Sequence, residues 1–167
     1  MEIQLSDKFY LYKRLISVPK NIFIEDIDNE INSGNLCEGV PKYQTYNNLY
    51  DKMKEKTHWK VLYKEVLNKV MNIDQNLKLH SSWANVSKKD SSFNNHTHNT
   101  NLTAIYYLKN KYLEFGTSIK DSVIISGEEN SLLIFNAKVM HSIVNIHPDL
   151  YDKTGPRYSI VFDFVCQ

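Results

Sequence analysis

The side chains able to do chemistry gather in the second half of the chain. His96-Thr97-His98 sets two imidazoles two positions apart. On an extended segment such residues point to the same face, so both can reach one metal ion. His141 offers a third nitrogen ligand. It follows the apolar run Leu132-Leu133-Ile134-Phe135 and opens another, Ser142-Ile143-Val144, a setting that would project it from a sheet into a cavity. His147, beside Pro148 in a loop, competes for that place. The plainer reading of His96 and His98 is two polar residues in an Asn-rich turn. His58 and His80 belong to no motif and read as structural or solvated.

Arg157 is the next candidate. Of 20 basic residues, 18 are Lys, and Arg14 and Arg157 are the only arginines. In the run Arg157 to Val165 the even positions Tyr158, Ile160, Phe162 and Phe164 make an apolar face, while Arg157 and Ser159 share the opposite one. A guanidinium fork grips a planar carboxylate at two points, where an ammonium is only a point charge. Arg157 and Ser159 are therefore spaced to hold one carboxylate. Covering the edge of a sheet is the plainer role for Arg157.

These groups need elements to carry them. Residues 2–15 alternate loosely and include Phe9, Tyr10, Leu11 and Tyr12, which suits one or two strands. Ile24, Ile27 and Ile31 fall at helical spacing with Gly34 as a stop, and a loop with Gly39 and Pro41 follows. Trp59, Leu62, Tyr63, Val66 and Val70 mark one face of a longer helix, with Thr57 available as its N-cap. Lys60, Lys64, Glu65 and Lys69 lie off that face, as a solvated surface would. From about residue 77 the period becomes extended. Short strands are expected at Leu77–Val86, Leu102–Leu108, Ser122–Ser126, Leu132–Phe135, His141–Ile146 and Arg157–Val165, separated by Asn, Asp, Gly and Pro clusters. Many short strands after two helices predict a mostly β sandwich or jelly roll with N-terminal helices along one sheet.

Composition sets the outer limits. The chain has 167 residues, 42% hydrophobic and 23% charged, the range of a globular protein able to bury a core. One domain is expected over 1–167, with a strand and supporting helices in 1–76 and the β core in 77–167. Lys+Arg is 20 against Asp+Glu 19, which supplies no large field for a polyanion and argues against nucleic acid as a partner. The first residues carry acids and no apolar signal region. The longest apolar run is Ala104 to Leu108, so a cytoplasmic protein with no membrane partner is expected. Cys37 and Cys166 read as free thiols. Glycosylation-type triplets at Asn85, Asn95 and Asn101 read as chance in a chain with 18 Asn.

Taken in order, His96-Thr97-His98, Ala104-Ile105-Tyr106-Tyr107-Leu108-Lys109, Leu132-Leu133-Ile134-Phe135, His141-Ser142-Ile143-Val144 and Arg157-Tyr158-Ser159-Ile160 resemble the Fe(II)/2-oxoglutarate-dependent dioxygenases. The likeness is to the prolyl-hydroxylase-like branch and the small phage and bacterial oxygenases grouped with it. It spans roughly residues 77–166 and, more loosely, the N-terminal elements including Thr45 and Asn48-Leu49. The resemblance implies a double-stranded β-helix. It implies His96 and His141 as metal ligands, and Tyr107 and Arg157 on the far carboxylate of 2-oxoglutarate, supported by Ser159. It places Asn85 near the cosubstrate or iron. The implied activity consumes Fe(II)-activated O2 and 2-oxoglutarate, releases succinate and CO2, and hydroxylates an unactivated C–H bond of a peptide, amino acid or small molecule.

Two departures stand out. The family usually has a carboxylate two residues after the first His, and here that position is His98. Three imidazoles leave the site one charge more positive, which favours a dianionic cosubstrate; Asp90, in the same loop, is the alternative carboxylate ligand. The segment Ile146–Pro156 also lengthens the connection from His141 to Arg157. Two rival readings remain: a cupin-like three-His metalloprotein that does not use 2-oxoglutarate, and a non-catalytic jelly-roll binding or structural module.

Overall fold

A computed structural model describes residues 2–6, 9–35, 43–88, 94–111, 116–120, 123–144 and 155–167. The alternating start pairs as an antiparallel hairpin of β1 (Glu2–Ser6) and β2 (Phe9–Lys13). Helical spacing then produces α1 (Lys20–Asn32), α2 (Leu49–Met53) and α3 (Thr57–Met71). Gly34 adopts φ 76° just past α1, the left-handed conformation that suits glycine after a helix. Lys56, not Thr57, holds the N-cap position of α3, and Thr57 is its first helical residue. Lys56 is the last residue with extended backbone, so the helical dihedrals begin one residue after it.

The remaining chain is nearly all strand: β3 (Leu77–Ser87), β4 (Leu102–Lys109), β5 (Thr117–Ile119), β6 (Val123–Ile125), β7 (Ser131–Asn136), β8 (His141–Ile143) and β9 (Arg157–Cys166). Two antiparallel sheets result, one ordered β1-β2-β7-β4-β9-β3 and a smaller one ordered β6-β5-β8. This is the jelly roll that the strand pattern predicts, in the double-stranded β-helix form that the resemblance implies. Strand β5 is the exception, being only Thr-Ser-Ile and too short to show a period. Gly116 precedes it where a Cβ would sit 1.6 Å from the Ile125 carbonyl oxygen, so only glycine lets β5 approach β6 there. Cys37, Asp90, His147 and most of the 146–156 segment lie outside the described residues.

Each face of the large sheet has its own partner. Phe23, Ile27, Trp59, Leu62, Val66 and Val70 of α1 and α3 pack on Ala84, Ala104, Tyr106, Ile134, Ile160 and Phe162. The opposite face, with Leu11, Trp83, Ile105, Tyr107, Leu133, Phe135 and Val161, meets Ile119 and Ile125 of the small sheet. The even positions of β9 thus pack under the helices and the odd positions face between the sheets.

A bulge refines this pattern. Leu79 pairs with Phe164 and Ser81 with Asp163, leaving His80 as the extra residue of β3. Before it, Leu77 and Leu79 join the helical core. After it, Ser81, Trp83 and Asn85 line the cleft between the sheets. Strict alternation would have kept all five on one face.

Asp26 clamps α1 to α3. This buried carboxylate accepts hydrogen bonds from Trp59 Nε1 at 2.8 Å and from Lys56 Nζ, and lies 2.8 Å from His58 Nε2. His58 is thereby structural, as its isolation in the sequence suggests. Burial alone would raise the Asp26 pKa, but Lys56, Trp59 and His58 outweigh it and hold the group below its ordinary 3.8. A depressed folded pKa contributes stability above the unfolded value that is lost as the pH falls through the folded one. Asp26→Ala leaves the Trp59 N–H buried without an acceptor, and urea titration at pH 7 is expected to show a loss of about 1–3 kcal/mol. The gap between variant and wild type should narrow as the pH is lowered through 4 and below.

Candidate metal centre and anion pocket

The three histidines come together because backbone hydrogen bonds set them opposite one another. His96 N donates to His141 O at 2.9 Å and His141 N to His96 O at 3.0 Å, an antiparallel pair that extends the small sheet. His98 N donates to Ala137 O at 2.9 Å, holding the same segment to the turn before β8. Ring centroids stand 5.1 Å apart for His96 and His98, 4.5 Å for His96 and His141, and 4.9 Å for His98 and His141. One nitrogen from each lies within 4.8 Å of the others, enough for a shared ion. His96 is exposed, His98 half-buried and His141 buried.

The outward nitrogens fix which atoms face inward. Nδ1 of His96 lies 2.8 Å from Asn94 O, Nδ1 of His141 lies 2.9 Å from Val139 O, and Nδ1 of His98 lies 2.9 Å from Asp163 Oδ1. Carbonyl and carboxylate oxygens accept, so each Nδ1 carries the hydrogen and each Nε2 keeps a lone pair. Burial holds the His141 pKa down to about 4, with His96 and His98 adding to the shift. Burial likewise lowers His96. Both are neutral imidazoles at pH 7, the form a metal requires. The donor set therefore fits a divalent transition metal.

A cleft of about 690 Å³ runs from this cluster along the inner face of the large sheet. At its inner wall Arg157 is 2% exposed, and its Nε and Nη1 meet no acceptor among the described residues. The guanidinium stands over the Tyr107 ring, 5.2 Å from the centroid. Burial lowers the Arg157 pKa and Tyr107 partly counters it; the guanidinium remains protonated. A buried cation with free N–H groups is costly unless an anion completes it. An anion in the cleft would complete this one.

Ser159 and Asn85 share the cleft wall with Arg157, and the buried Asn85 Oδ1 also meets no donor among the described residues. Tyr107 sits behind the wall. It is fully buried, and its hydroxyl makes a 2.6 Å hydrogen bond with Thr117 Oγ1, so Thr117 and Arg157 form the surface that Tyr107 supports. Burial raises the Tyr107 pKa against the pull of Arg157, keeping the phenol neutral. His80 is exposed at the cleft mouth.

Sequence reasoning missed Thr117, Thr103 and Asp163. Thr117 lies on the strand too short to read. Asp163 was within reach of the period-2 argument, since it follows Arg157, Ser159 and Val161 on one face of β9.

No family model and no curated protein sequence matches the chain. Solved structures do match it. A viral collagen prolyl hydroxylase from Paramecium Bursaria Chlorella virus-1 superposes with TM-score 0.60 at 13% identity, over 96% of this chain and 90% of that one. HygX from Streptomyces hygroscopicus, with nickel and 2-oxoglutarate bound, gives 0.66 at 11% identity, over 96% and 83%. A Pseudomonas putida prolyl-4-hydroxylase gives 0.65 at 12% identity, over 96% and 93%. At these identities the shared property is the fold.

Adding Co(II) at about a hundred times its dissociation constant is expected to stabilise the protein by about 2.7 kcal/mol, read as a rise in melting temperature. His141→Ala should remove that rise. A melting temperature that does not respond to Co(II) in the parent chain would contradict the donor set.

Proposed function

We propose that this protein is an Fe(II)- and 2-oxoglutarate-dependent oxygenase that hydroxylates a C–H bond of a small molecule, amino acid or peptide. The observation that carries the reading is Arg157: a guanidinium buried in the cleft wall, with Nε and Nη1 lacking an acceptor among the described residues, in the same cleft as three converging imidazoles. A metal site alone does not call for such a cation. A cosubstrate with a chelating keto acid at one end and a carboxylate at the other calls for both. The fold likeness to prolyl hydroxylases and to a protein crystallised with nickel and 2-oxoglutarate supports the same reading.

His96, His98 and His141 would hold the metal through Nε2. Fe(II) bound there would activate O2, the oxidant whose two oxygen atoms end in succinate and in the hydroxylated product as 2-oxoglutarate loses CO2. The chain's own share is binding, orientation and exclusion of water. Arg157 would take the far carboxylate by a charge-assisted pair, and Ser159 and Thr117 would add hydroxyls beside it. Tyr107 would brace the guanidinium from behind, and Trp83 and Val161 would line the apolar middle of the cleft. The described side chains at the cleft mouth, Gln44, Asn47, His80 and Asn99, carry no carboxylate or ammonium. They suit a substrate recognised by hydrogen bonds rather than by charge. One domain over 1–167, acting in the cytoplasm, completes the proposal.

The test is 2-oxoglutarate-dependent succinate formation and oxygen uptake with Fe(II) under reducing conditions. His141→Ala should abolish both. Arg157→Ala should weaken 2-oxoglutarate binding by about 2–5 kcal/mol, the cost of truncating one partner of a buried charge pair, while metal affinity stays near that of the parent. Normal turnover in both variants would sink the assignment. Oxygen uptake that ignores 2-oxoglutarate would favour a three-His oxygenase of another kind.

A further inference from the structure

Three imidazoles leave the centre without the carboxylate that a two-His-one-carboxylate set would provide, yet a carboxylate stands directly behind one of them. Asp163 is 3% exposed near the far end of β9. His98 Nδ1 lies 2.9 Å from its Oδ1 and 2.8 Å from its Oδ2, and Thr103 Oγ1 donates to Oδ1 at 2.7 Å. Thr103 Oγ1 also lies 3.1 Å from His98 Nδ1, so the three groups form a closed triangle. His96 and His141 lean on neutral backbone carbonyls instead. Among the described residues, His98 is the one of the three with a charged partner.

The position is set by the sheet rather than by a loop. Thr103 of β4 and Ser81 of β3 are the direct cross-strand partners of Asp163. Trp83, two residues past Ser81, brings its ring to 5.3 Å from that of His98. The imidazole is thus bounded by a rigid aromatic wall and a carboxylate fixed by its own hydroxyl donor.

We propose that Asp163 is the positioning residue of the metal centre: it locks His98 with Nε2 facing the ion and returns, one hydrogen bond behind the ligands, the negative charge that the third imidazole leaves out. This rests on the reading that the three histidines hold a divalent metal. The physical effect is twofold. A carboxylate accepting from Nδ1–H makes the imidazole a stronger ligand, and it removes the ring rotation and tautomer exchange that would otherwise precede binding. Charge also balances. A divalent ion, three neutral imidazoles and Asp163 sum to one positive charge, the value of a two-His-one-carboxylate centre, with the carboxylate held behind His98 rather than on the ion. A residue that merely tied the 94–101 segment to the sheet would affect folding but not the electronics of His98.

Two measurements on the 167-residue chain separate these roles. In Co(II) titrations, Asp163→Asn, which keeps size and one acceptor oxygen but removes the charge, is expected to bind about 10–100-fold more weakly than the parent. In nitrogen-15 spectra of the metal-free protein, the parent is expected to show His98 as the Nδ1–H tautomer, and Asp163→Ala a mixture of tautomers. Asp163→Asn binding Co(II) within twofold of the parent, or an Nε2–H form of His98 in the parent, overturns the proposal. The second result decides the matter even if both variants fail to fold. Weakening by His96→Ala and His141→Ala but not by Asp163→Asn overturns this inference alone. No weakening by any of them overturns the metal reading and this inference together.

Discussion

Strand β9 is buried on both faces, and the rest of the molecule is arranged around that constraint. It lies between β4 and β3 in the large sheet, with Tyr158, Ile160, Phe162 and Phe164 under the helices and Arg157, Ser159, Val161 and Asp163 toward the small sheet. A strand with water on neither side must be apolar on both faces or find partners for each polar group. The helical face takes the first course. The cleft face takes the second, and its polar groups are the site.

The two charges of that face lie six residues apart, about 20 Å along an extended strand. Asp163 is satisfied within the protein, by His98 and Thr103. Among the described residues Arg157 is satisfied only in part, by the face of the Tyr107 ring, with Nε and Nη1 meeting no acceptor. Among the described residues, one end of the cleft is therefore a closed electrostatic unit around the His98 ring, and the other carries a cation that is still short of acceptors. The three histidines stand with the closed unit. A near-neutral chain, with 20 basic and 19 acidic residues, leaves no broad field to compete with this local asymmetry.

Stiffness is supplied from outside the cleft. The Asp26 clamp joins α1 to α3, those helices cover the outer face of the large sheet, and the sheet fixes β9 and β4. On the other side, the small sheet holds His141 against Ile119 and His96 against His141 through its hydrogen-bond ladder. The centre sits where a turn-borne segment is stitched to a strand end, so its geometry depends on both sheets being formed. Gly116 matters for the same reason, since β5 cannot close on β6 with any side chain there.

Much of this was legible in the residues themselves. Local periodicity is a one-dimensional property, and it suffices to mark both main helices, the longer strands and the two faces of β9. The types and spacing of His96, His98, His141, Arg157 and Ser159 likewise mark residues that the fold gathers into one cleft, because imidazoles and guanidinium groups carry their chemistry wherever they are placed. Three things required the tertiary structure. The His80 bulge reverses which face Trp83 and Asn85 present, and a register shift depends on the partner strand. Tyr107 turns out to brace Arg157 from behind rather than to line the cleft, because burial order is decided by packing between sheets. The bond between His98 and Asp163 joins residues 65 positions apart, and nothing local in either segment requires it. The sequence determined which groups could meet an ion or an anion; only the pairing of strands decided which carboxylate stands behind which imidazole, because through-space contacts are set by register and not by order along the chain.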